Sequence, residues 1–113
     1  MLTLPPQALT QVAEYFKVLS EVSRLQVLSS LRSHPKSVTE IVEITGLGQA
    51  NVSKHLKVLM QAGMVVRHPK GVCVFYQISD PIIFELCEVV CDRISTRLTA
   101  QAQQLEQLKM PMN

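Results

Sequence analysis

Apolar positions in this chain recur every three to four residues for most of its length, alternate over one short stretch, and then return to helical spacing. From Ala8 to Leu19 the period is helical, and it ends where Ser20 can cap a second helix running to about Arg32 with Leu25, Leu28 and Leu31 inward. His34-Pro35 stops that helix. Ser37-Val-Thr-Glu40 then reads as a capping box, in which the serine and the glutamate each satisfy an orphan backbone N–H, and Ile41 and Ile44 supply an apolar face. Thr45-Gly46-Leu47-Gly48 forms a turn, and Gln49 to Ala62 resumes the helical period with Val52, Leu56 and Leu59 inward.

After Gly63, placed as a C-cap glycine, the period switches to two. Met64 to His68 and Val72 to Ile78 read as strands joined by Pro69-Lys70-Gly71, a hairpin with a basic tip. Asp80-Pro81 opens a last helix to about Leu108, with Asp80 as N-cap and proline at the first helical position. The predicted order is α-α-α-α-β-β-α: mainly helical with one small hairpin, a winged helix-turn-helix in one domain over residues 1–113, with terminal helices at 6–19 and 81–108.

Ile83, Cys87, Val90, Ile94, Leu98, Leu105 and Leu108 make an apolar stripe along the last helix that outlasts what a core of this size can cover. With 113 residues there is no room for a second folded unit, so the expected cover is a second copy of the chain. No run long enough to span a bilayer occurs, and the first residues lack the basic start and apolar core of a signal peptide, so a cytoplasmic location is expected. The net charge of +2 is too small to indicate nucleic-acid binding by itself. Its placement is more informative, because Lys54, His55, Lys57, Arg67, His68 and Lys70 fall within the second helix of the turn motif and the hairpin.

Three stretches resemble the ArsR/SmtB family of bacterial winged-helix repressors. Phe16-Lys-Val-Leu-Ser-Glu-Val-Ser-Arg-Leu-Gln-Val-Leu28 is similar to the family's opening signature. Gly46-Leu-Gly-Gln-Ala-Asn-Val-Ser-Lys-His-Leu-Lys-Val-Leu59 is similar to its recognition helix. Gly63-Met-Val with Gly71-Val-Cys-Val-Phe-Tyr-Gln-Ile78 is similar to its wing. The three occur in family order and spacing over most of the chain. The resemblance implies dimerisation through the first and last helices, and a two-fold dimer presents its recognition helices to successive major grooves about 34 Å apart.

The DNA contacts expected on this basis are Gln49, Asn51, Ser53, Lys54 and His55 in the major groove, with Lys57, Arg67 and Lys70 on phosphates or the minor groove. His55 matches a family position that either contacts DNA or buttresses the helix. One family inducer site, a Cys-x-Cys before the recognition helix, has no cysteine here between His34 and Glu40. Another, aligned on Asp80, would need ligands where Ile82, Arg93 and Thr96 stand, so no intact zinc-type site is expected, and Asp80 is better explained as a cap.

The three cysteines are Cys73 in the wing and Cys87 and Cys91 four apart on the last helix. For Cys73, strand packing is the simpler role and thiol chemistry the alternative. Spacing four brings Cys87 and Cys91 to one side of a helix, with Cβ atoms about 6 Å apart against the 3.8 Å that a disulfide wants. A shared soft ligand such as As(III), or oxidation or persulfide formation that reshapes the dimer, suits them better.

The resulting expectation is a homodimeric repressor of an inverted-repeat operator, released by a thiophilic or thiol-reactive inducer at Cys87 and Cys91 and needing no resident cofactor. Alternatives are a constitutive regulator or a winged helix used for protein interaction. An enzyme is not expected, for want of a nucleophile triad, a phosphate-binding glycine loop or a full metal-ligand cluster.

Overall fold

The computed structural model describes residues 3–109. Its elements are α1 (Pro6–Val18), α2 (Val22–Ser30), α3 (Val38–Thr45), α4 (Gln49–Gln61), β1 (Val65–Lys70), β2 (Cys73–Ile78) and α5 (Ile82–Lys109). They fall into two units, residues 1–80 with the first four helices and the hairpin, and residues 81–113 with α5.

Within the first unit α2, α3 and α4 pack on one another around Val27, Leu28, Leu31, Ile41, Val52, Leu56 and Leu59, all 2 % exposed or less. The capping box forms as expected. Ser37 Oγ accepts from the Glu40 N–H at 3.2 Å, and Glu40 Oε1 accepts from the Ser37 N–H at 3.0 Å. That backbone donor, helped by the Ser37 hydroxyl, holds the Glu40 carboxyl below its ordinary value. Gly46, at φ 73°, ends α3, and α4 begins only three residues later, a turn after which the two helices pack on each other. α4 closes in a Schellman motif: Gly63 is left-handed at φ 76°, its N–H donates to Met60 O, and the Met64 N–H donates to Leu59 O, both at 3.0 Å.

β1 and β2 pair antiparallel from Val65↔Ile78 to Lys70↔Cys73. β1 runs two residues further than expected, β2 starts one residue later, and the turn between them is tighter than Pro69-Lys70-Gly71 suggested. Pro69 and Lys70 belong to β1, and Gly71-Val72 alone make the turn, with positive φ (62°) at its first position only, as a type II′ hairpin requires. A reciprocal backbone pair between Lys36 and Tyr76, at 3.0 and 2.8 Å, stitches the segment before α3 to β2 and so fixes the wing beside the turn motif.

Ser20 does not cap α2. Its hydroxyl donates back to Lys17 O at 2.6 Å, closing α1, and Glu21 takes the N-cap position of α2 without a side-chain cap bond. No residue of α1 is buried, and Leu9, Val12 and Phe16 are exposed on it. α5 is 28 residues long with Ile83 its one buried residue, and Val90, Ile94, Leu98, Leu105 and Leu108 stand exposed along it. Among the described residues no helix is long and apolar enough to cross a membrane.

Candidate nucleic-acid interface

Helical period divides α4 into two faces. Val52, Leu56 and Leu59 are 0 % exposed and anchor it, while Gln49, Asn51, Ser53, Lys54 and Lys57 are exposed. The side chains near the start of the helix are short amide and hydroxyl groups that suit base edges. The lysines further on have the reach for phosphates. In the wing Arg67 and Lys70, both exposed on β1, add two cations, and His68 is exposed between them. The tip residue Val72 is fully exposed.

His55 departs from expectation. It is 4 % exposed, so it lies in the interior and not on the face with its neighbours Lys54 and Lys57. A side chain so placed does not enter a groove, and of the two roles foreseen for it only the buttress agrees with its burial. Its Nδ1 lies 3.8 Å from Glu21 Oε2, which in turn pairs with Arg24 Nη2 at 2.8 Å. Burial lowers the tendency of the imidazole to take a proton, the Arg24 guanidinium and Lys54 lower it further, and Glu21 opposes them. Neither Glu21 nor Arg24 stood out in the sequence as a partner of His55. The available signal was the i, i+3 spacing of an acid and an arginine at the start of α2.

The thiols sit apart from these residues in sequence and are free: Cys87 half-buried and Cys91 exposed on α5, Cys73 exposed at the first position of β2. The packing role foreseen for Cys73 is therefore not realised, because beside the Gly71-Val72 turn, at the tip of the hairpin, the residue is exposed. Cys87 and Cys91 remain one helical turn apart on α5. Among the described residues no group of three or more His, Cys, Asp and Glu side chains could hold a metal ion. At the positions of the zinc-type site, Thr96 donates its hydroxyl to Asp92 O at 2.9 Å, and Ile82 and Arg93 offer no ligand atom, so the residues present do not fit a zinc ion.

Comparison with known proteins gives a consistent picture. Residues 21–66 match the family model described as bacterial regulatory protein, arsR family. The chain is 36 % identical over 85 residues to the HTH-type transcriptional regulator NmtR of Mycobacterium tuberculosis, covering 75 % of this chain and 71 % of that one. The crystal structure of M. tuberculosis Rv0081 superposes with a TM-score of 0.74 at 32 % identity, over 88 % of this chain and 99 % of that one. The solution structure of a homodimeric winged helix-turn-helix DNA-binding domain, Mb0332 of Mycobacterium bovis, gives 0.72 at 28 % identity, over 86 % and 95 %.

Proposed function

Because the chain belongs to the ArsR family of bacterial regulatory proteins, we propose that it is a homodimeric repressor that reads an inverted-repeat operator through α4 and leaves it when an inducer occupies Cys87 and Cys91. The observation that carries the DNA reading is the division of α4, whose buried stripe of Val52, Leu56 and Leu59 turns Gln49, Asn51, Ser53, Lys54 and Lys57 outward on one helix. Gln49 and Asn51 offer the paired donor and acceptor that an adenine edge matches, and Ser53 is short enough for either kind of base. Lys54, Lys57, Arg67 and Lys70 neutralise phosphates and fix the register of the protein on the duplex.

Dimerisation through α1 and α5 is supported by their exposed apolar side chains, Leu9, Val12 and Phe16 on one and Ile94, Leu98 and Leu105 on the other, and by the homodimeric state of the M. bovis neighbour. A two-fold dimer reads two half-sites about one helical turn apart, which makes the operator an inverted repeat. The inducer is a soft ion such as As(III), or an oxidant or reactive sulfur species, because two thiols one turn apart suit a thiophilic ligand and the zinc-type positions hold no ligands. Its capture acts by favouring a DNA-free packing of the dimer over the DNA-competent one.

Fluorescence anisotropy tests the proposal, using reduced protein and a duplex from the region upstream of its own coding sequence, with and without stoichiometric As(III) or an organic polysulfide. Tight, salt-dependent binding lost on treatment is expected. Tight binding indifferent to either reagent would remove the inducer part, and no salt-dependent binding to any duplex would remove the DNA part.

A further inference from the structure

Two polar side chains are largely enclosed where α2 meets α4: the Arg24 side chain is 11 % exposed and that of His55 5 %. Arg24 spans a corner. Its Nη1 donates to the carbonyl of Val18, the last residue of α1, at 2.9 Å, and its Nη2 lies 2.8 Å from Oε2 of Glu21 at the start of α2. The same carboxylate oxygen is 3.8 Å from Nδ1 of His55, in the middle of α4. One carboxylate therefore stands between a guanidinium tied to the end of α1 and an imidazole rooted in the DNA-facing helix.

That contact is too long for a hydrogen bond. His55 Nδ1 and Arg24 Nε are both buried without a partner. Val52, Leu56 and Leu59 show what packing alone asks of this face, since a leucine at position 55 would extend their stripe and leave no orphaned nitrogen. We propose that Glu21, Arg24 and His55 form a bracket that sets how α4 stands against the α1–α2 corner, and that His55 is a positioning residue that tunes DNA affinity without touching DNA. The proposal rests on α4 being the helix that reads DNA. Gln49 lies about 9 Å along the helix from His55, so a small change of tilt at the bracket displaces the base-reading end.

The charges facing His55 are Glu21 and Arg24 from α2 and Lys54 on its own helix. A proton on the imidazole would draw the Glu21 carboxylate toward α4 and away from Arg24, loosening the tie to α1. The bracket thus holds α4 in place while His55 is neutral.

The test measures binding of the full chain to the upstream duplex by anisotropy, over a salt series at pH 7.5 and 5.5, for wild type, His55→Leu, His55→Asn, Glu21→Gln and the Glu21→Gln/His55→Leu double variant. Circular dichroism first verifies that each is folded at the assay temperature. His55→Leu is expected to weaken binding about tenfold with the slope of log K against log salt unchanged, since no phosphate contact is lost. His55→Asn, neutral and polar near Nδ1, is expected to restore most of the affinity and to abolish the part of the pH 5.5 loss that wild type owes to this site. The double variant is expected to be no weaker than the weaker single one, because both changes open the same bracket.

Wild-type affinity in His55→Leu, a slope shallower by about one per protomer, or additive losses in the double variant would each overturn the bracket. Should His55→Leu unfold, the pH profiles of His55→Asn and Glu21→Gln decide alone, and profiles identical to wild type would overturn it. Failure of wild type to bind any duplex would instead overturn the DNA reading on which the bracket stands.

Discussion

Removing the Lys70 ammonium gives a direct measure of how the wing is used. Lys70 is exposed at the end of β1, opposite Cys73, so its head is solvated in the free protein and its loss leaves the core untouched. With Lys54, Lys57 and Arg67 it makes four exposed cations per protomer on α4 and β1, each present twice in a dimer. If all of them neutralise phosphates, log K falls against log salt with a slope of about −7, and affinity drops by about four decades between 50 and 200 mM salt. Lys70→Ala deletes two of those contacts from the dimer and should make the slope shallower by about 1.8, weakening specific and mixed-sequence duplexes alike. Gln49→Ala should do the opposite, leaving the slope intact and costing about 1–3 kcal/mol of discrimination at one base pair of each half-site. Anisotropy titrations over a salt series, with the operator duplex and a scrambled one, read both quantities. An unchanged slope in Lys70→Ala together with an altered base preference would refute the assignment of wing to backbone and α4 to bases.

Other outcomes follow from the same geometry. Ser37→Ala removes the hydroxyl arm of the α3 capping box and should cost about 1 kcal/mol in a denaturant titration at fixed protomer concentration, and an unchanged midpoint would show that the Glu40 arm suffices. Gly46→Ala meets no atom within 4 Å but must adopt φ 73°, so about 1–2 kcal/mol should be lost to backbone strain alone, and a neutral substitution would mean that the turn relaxes. The folded state disfavours a proton on His55 relative to the ordinary value of 6.5, so the unfolded chain binds more protons just below that pH. Stability should therefore be full above pH 6.5 and decline as pH falls below it, and melting curves of wild type and His55→Asn that run parallel from pH 7.5 to 5.5 would contradict this. Cys87→Ser/Cys91→Ser should keep wild-type DNA affinity and lose its response to As(III) or polysulfide, whereas retained induction would move the sensor elsewhere.

Much of the fold is written locally, and the places where sequence reading slipped have local physical causes. The capping box, the left-handed Gly46 and the Schellman glycine Gly63 each involve residues within a few positions of one another, so their chemistry was legible without knowing the fold. Sequence reading starts the wing turn two residues early, at Pro69 instead of Gly71, because proline and glycine punctuate sequences strongly. Among the described residues β1 pairs only with β2 and is an edge strand, so Pro69 is tolerated inside it. Ser20 offered its hydroxyl to either of two helices, and spacing alone did not decide that it would close α1 instead of opening α2.

His55 shows where the limit lies. Positions 52, 55, 56 and 59 have the i, i+3, i+4, i+7 spacing of a buried stripe, so geometry already placed this residue inward. Its polarity argued for the surface and for DNA, and geometry won. What periodicity does not carry is the partner: Glu21 and Arg24 stand more than thirty residues earlier, on another helix, and only the fold brings them to His55. The same asymmetry separates the two halves of the proposed function. Reading DNA needs side chains from one helix and one hairpin, encoded in two short stretches, whereas regulating that helix needs groups that meet through tertiary or quaternary contacts. Residues that control α4 are therefore to be sought among polar groups that packing has enclosed or set in pairs, and the variants above address two of these, the Glu21–Arg24–His55 cluster and the Cys87/Cys91 turn, independently.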